Sequence, residues 1–167
     1  DQVVEVVSVA AVPFSDLLDE FGVPHYLKID IEGADAACIN PLSPRRRPNY
    51  VSFEMGDDAI KLATHLHEAG YSQFKIISQA TFLALEQHKQ LLFRAGRKMN
   101  RILKRNPTHL VRDNWSFRYL HSSGPMAEAT SGDWQSFESM LSDWSSLIDK
   151  KAYDIGGWFD LHAKSGS

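Results

Sequence analysis

A chain of 167 residues has the length of one ordinary domain and can bury a sizeable core. Its content of 43% hydrophobic, 23% charged and 11% aromatic residues excludes collagen-like, strongly disordered and disulfide-scaffold classes. Eighteen Lys and Arg against 21 Asp and Glu leave a net charge of -3, so no global field draws in nucleic acid or anionic membrane.

A single cysteine, Cys38, excludes an internal disulfide, and no Cys/His spacing suits a metal. No run approaches the ~20 apolar residues of a membrane span. No signal peptide is visible, which makes the cytoplasm the default compartment. The chain opens in valines without a Met and reads as an excerpt from a longer polypeptide.

In chain order, residues 3–9 predict a valine-rich strand ended by Pro13. Ser15 is placed to cap a short helix over 16–21, with Gly22 just past its end. Residues 25–31 (HYLKIDI) predict a strand with Leu27, Ile29 and Ile31 on one side and Tyr26, Lys28 and Asp30 on the other. Gly33 turns the chain into a short helix over 34–39. After an Arg-rich loop over 43–49, a strand is predicted at 50–54 (YVSFE), a helix at 57–69 capped by Gly70, and a strand at 74–78. This alternation predicts an α/β fold, a parallel sheet with helices on both faces.

Residues 79–155 break that rhythm and read as a helical insertion before the last strand. A basic helix is predicted over 82–104, then an irregular stretch holding Trp115, then an acidic helix over 133–148. Phe137, Leu141, Trp144 and Leu147 give the acidic helix an apolar stripe. The final strand is predicted at 158–163 (WFDLHA). The organisation is a single domain over 1–167, with the sheet core in 1–78 and 156–167.

Ligands of open α/β sheets sit beyond the carboxyl ends of the strands. Asp30 and Glu32 follow one predicted strand and Glu54 ends the next, so neighbouring strands would bring three carboxylates to one rim. Their repulsion needs an offset: a divalent cation, a substrate amine, a shared proton, or a basic side chain such as Lys28 or one from the inserted helix. The plainer roles are a helix cap for Glu54, a surface pair for Glu32 and a Lys28–Asp30 ion pair. Trp115 and Trp134, in loop context, suit either an acceptor pocket or a core. His162 is expected to end the last strand near the cleft, and none of His25, His65, His67, His121 and His162 shows paired metal spacing.

The run Leu27-Lys28-Ile29-Asp30-Ile31-Glu32-Gly33-Ala34-Asp35 resembles the signature of FkbM-type S-adenosylmethionine-dependent methyltransferases. Its flanks agree: residues 14–23 are similar to the helix before that signature, residues 48–54 to the next strand with its terminal glutamate, and Ala69-Gly70-Tyr71 to the following turn. The resemblance is strong over residues 10–78. It implies the C-terminal half of a Rossmann-like class I methyltransferase sheet, ending in a reversed hairpin strand. It implies S-adenosylmethionine as cofactor and a small-molecule acceptor methylated on a hydroxyl. Asp30 would orient or deprotonate that hydroxyl beside the cofactor, Glu32 would assist, and Glu54 would contact substrate or a divalent metal. Trp115, Trp134 and His162 are added as acceptor contacts.

No GxGxxG occurs, so the glycine-rich cofactor turn is expected upstream of Asp1, and the segment alone is expected to be inactive. Two rival readings remain: a non-catalytic remnant of the fold, and a phosphate, RNA or membrane binder using the basic helix at 82–104. Nucleic acid is not the favoured partner, because basic amphipathic helices are more often solvated or paired with an acidic neighbour.

Overall fold

The computed structural model describes residues 7–31, 33–87, 109–112, 115–118, 122–149 and 158–166. Residues 7–13 form no strand, and Val7, Val9 and Val12 stand exposed. The strand predicted at 3–9 is therefore absent from its described part. Valine's strand preference is realised only against a paired neighbour, and none lies beside it among the described residues.

The first helix, α1 (Phe14–Phe21), starts directly after Pro13 and ends at Gly22, whose φ of 80° closes the turn. Ser15 lies inside the first turn and donates to the Asp16 carboxylate, instead of capping the helix as expected. Strand β1 (Tyr26–Ile29) stops short of Asp30. Gly33, at φ 88°, leads into α2 (Ala36–Ile39). Strand β2 (Tyr50–Glu54), helix α3 (Ala59–Glu68) and strand β3 (Tyr71–Ser78) follow the predicted order.

The last strand, β6 (Phe159–Ser165), enters between β2 and β3 and runs antiparallel to both, while β1 and β2 pair in parallel. The sheet order is β1-β2-β6-β3. The sheet is thus mixed, where alternation alone predicted a parallel one.

Register sorts the residues onto two unlike faces. Leu27, Ile29, Val51, Phe53, Leu161, Ala163, Phe74 and Ile76 share one face. Leu18 of α1, Ile39 of α2, and Leu62, Ala63 and Leu66 of α3 join them in one core. Burying Phe53 alone contributes on the order of 2–3 kcal/mol. The opposite face carries Tyr26, Lys28, Ser52, Glu54, Asp160, His162, Lys164 and Lys75.

The described part of residues 79–155 holds two surprises. An antiparallel hairpin, β4 (His109–Arg112) with β5 (Trp115–Arg118), replaces the irregular stretch expected there. Residues 122–135 then run across the polar sheet face, docked by polar contacts. The Ser123 and His162 side chains meet at 2.8 Å, Lys75 donates to Thr130 Oγ1 at 3.1 Å, and Gln135 bridges to Phe74. Helix α4 (Phe137–Asp149) packs Phe137 on Phe74 and stacks it on His67, with Met140 and Trp144 buried. Of the basic helix predicted at 82–104, only 85–87 is described as helical; 88–104 lie outside the described residues. Among the described residues no helix is long and apolar enough to cross a membrane.

Candidate functional site

Beyond the carboxyl ends of β1 and β2 lies a cleft of about 320 Å³. Asp30, which follows β1, and Glu54, which ends β2, line it together, as the sequence predicts for neighbouring strands. Asp35, Asp57 and Asp58 extend a wall of carboxylates, with no Lys, Arg or His among the described residues that line it. Local structure accounts for three of these acids. Asp35 accepts from the Ile31 backbone N–H at 3.4 Å, and Asp57 and Asp58 precede α3, where the helix dipole favours negative charge. Asp30 has no such explanation; it is exposed, and among the described residues no side chain pairs with its carboxylate. Glu32 lies outside the described residues.

Beneath the cleft is a buried polar network that sequence reasoning missed. Lys28 does not neutralise Asp30; its Nζ lies 2.9 Å from Oδ2 of Asp160, a fully buried residue of β6. Strand β1 ends before Asp30, and Asp160 lies on the same sheet face as Lys28, which makes it the partner within reach. Gln79 Nε2 donates to Asp160 Oδ1 at 2.8 Å and stands 3.5 Å from Glu54 Oε2. Burial alone would raise the Asp160 carboxyl, but the Lys28 charge and hydrogen bonds from Lys28, Ser123 and Gln79 hold it below the usual carboxylate range. The signal was an aspartate inside an otherwise apolar strand, which a fold tolerates only when it is paired.

Three predicted contacts do not line the cleft. His162 lies mid-strand and fully buried, not at the strand end, because β6 continues to Ser165. Its Nδ1 has no hydrogen-bond partner among the described residues, and burial pushes its pKa down to about 4, against the pull of Asp160. Trp134 packs between Tyr50 and the Lys75 and Lys164 ammonium groups, and donates to Glu128 at 2.8 Å. Tyr50 begins β2 and Glu54 ends it, so Trp134 belongs to the other end of the sheet. Hydrogen bonds from Lys164, Trp134 and Tyr50 lower Glu128 to about 2, which marks a docking point for residues 122–135. Trp115 projects 72% exposed from β5, a strand rather than a loop. No group of three or more His, Cys, Asp or Glu among the described residues is arranged to hold a metal ion.

Residues 1–73 match the family model described as Methyltransferase FkbM domain. Over those residues the chain is similar to the FkbM methyltransferase domain. The match spans α1 through α3 and enters β3, and it contains every described residue that lines the cleft. Trp115, Trp134, Asp160 and His162 fall outside it. No curated protein and no solved structure gave a match.

Proposed function

We propose that the protein transfers a methyl group from S-adenosylmethionine to a hydroxyl of a small molecule, with the reaction in the acidic cleft at the ends of β1 and β2. The observation that carries this reading is the overlap between the FkbM match and the described residues of the cleft lining. The reversed β6 between β2 and β3 supports the finer reading of a Rossmann-like methyltransferase sheet.

The lining suits the cofactor by charge. The carboxylates among the described lining residues favour a ligand that carries a sulfonium and an ammonium group. Asp30 would face that cationic part and the acceptor together. When bound, the cofactor supplies an electrophilic methyl group, and the residues of this chain do the rest. Methyl transfer needs the nucleophile in line, so positioning dominates. Asp30 would accept the acceptor hydroxyl's hydrogen bond and take its proton as the oxygen attacks. Glu54, across the cleft, would fix a second acceptor hydroxyl, and Glu32 would assist from the same loop as Asp30.

Calorimetric titration of S-adenosylhomocysteine into the native polypeptide tests the reading. Saturable binding that weakens when Asp30 is replaced by Lys is expected. A well-folded protein that binds none of it would remove the methyltransferase reading.

A further inference from the structure

This inference rests on the placement of methyl transfer in the acidic cleft. We propose that Gln79 is the positioning residue of that cleft: its side-chain amide divides its two N–H groups between Glu54 and the buried Asp160–Lys28 pair, and so fixes the direction in which Glu54 faces the substrate.

Glu54 and Asp160 are register partners on adjacent strands, so their side chains leave the same face of the sheet within about 5 Å of each other. Two carboxylates so placed repel, and an ionised carboxylate only accepts hydrogen bonds. A neutral group with two donors between them relieves that repulsion without removing either charge. Gln79 is such a group, its Nε2 lying 2.8 Å from Asp160 Oδ1 and 3.5 Å from Glu54 Oε2. The same logic orients the amide, since its carbonyl oxygen would face two anions if flipped.

Gln79 is held firmly enough to act as a reference. It is 4% exposed, and its backbone N–H donates to the Trp158 carbonyl at 2.8 Å. Its Asp160 partner is held in turn by Lys28 at 2.9 Å. The longer leg to Glu54 is the adjustable one, and such contacts commonly tighten when a site fills. A lysine at this position would neutralise Glu54, and a glutamate would add a third negative charge. Gln79 and Asp160 both lie outside the FkbM match, so matched residues build the cleft while unmatched residues aim one of its carboxylates.

The test is a carboxyl-carbon NMR titration of Glu54 and Asp30 in the native polypeptide, compared with Gln79→Met and the near-isosteric Gln79→Glu, with turnover measured in parallel. Gln79→Met should raise the Glu54 pKa by about half a unit to one unit. Gln79→Glu should raise it further. Turnover should fall in both variants while S-adenosylhomocysteine affinity holds. A Gln79 that merely supports the fold would lower the melting temperature and leave the Glu54 titration as in the wild type, and that result overturns the proposal. If Gln79→Met does not fold, the Glu54 titration in Gln79→Glu decides alone. A shifted Glu54 in a protein that transfers no methyl group would keep the positioning role and remove the methyltransferase reading of the cleft.

Discussion

Lys28 of β1 reaches across β2, where the facing residue is the small Ser52, to place its Nζ 2.9 Å from Oδ2 of Asp160 in β6. The pair joins strands 132 residues apart in sequence, and Asp160 has no exposure to water. Removing one partner from a buried pair leaves the other charge unmatched, which typically costs several kcal/mol. Asp160→Ala and Lys28→Met should each destabilise the protein by about 3 kcal/mol. The Lys28→Met/Asp160→Leu double variant should recover much of that loss. Urea denaturation of the three variants measures this, and fully additive losses would show that the two groups do not act as a pair.

Stability should also depend on pH through His162. Its folded pKa of about 4 lies below the ordinary value of 6.5, so the unfolded chain binds a proton in that window and the folded chain does not. Stability is therefore full above about pH 6.5 and falls as pH drops toward 4, by about 3 kcal/mol from this residue. Asp160, also held below its ordinary range, extends the loss to more acidic pH. Urea midpoints between pH 7 and pH 4.5 should slope downward in the wild type and flatten in His162→Gln. Equal slopes in both proteins would contradict the assignment.

Residues 122–135 approach Ala84, beyond the end of β3, closely at Gly132. Its φ is 72°, and a Cβ there would lie 2.4 Å from the Ala84 Cβ. Gly132→Ala should cost about 2–4 kcal/mol, combining left-handed strain with steric overlap. Gly22→Ala is the control, since Gly22 has a similar φ of 80° but open space around it. That variant should lose only about 1–2 kcal/mol. Matched melting temperatures for the two variants would mean that the segment does not pack closely at Gly132.

Much of the architecture was legible because its local signals agree with one another. YVSFE alternates and ends at a glycine-containing turn, and α3 carries its apolar residues at helical spacing, so β2 and α3 fall close to where the pattern puts them. Asp30 and Glu54 were legible as one rim because parallel neighbours align their carboxyl ends. Periodicity did not show the direction of the last strand, since antiparallel insertion between β2 and β3 depends on a long connection; only the FkbM resemblance implied a reversed final strand. The β4–β5 hairpin was missed although Asp113-Asn114 between HLVR and WSFR is a turn-forming pair. Lys28 illustrates the limit best. A residue two positions along the chain looked like its partner, and the true partner came from the far end of the fold.

The central claim is that methyl transfer takes place at Asp30, in the cleft that the FkbM match encloses. Its most direct test is transfer of a labelled methyl group from S-adenosylmethionine to a panel of hydroxyl-bearing small molecules, by the native polypeptide and by its Asp30→Asn variant. Loss of a positioned general base typically costs a factor of about 10²–10⁴. The account predicts a fall of that order in turnover, with S-adenosylhomocysteine affinity within a few-fold of the wild type. A folded Asp30→Asn protein that turns over at the wild-type rate would contradict it.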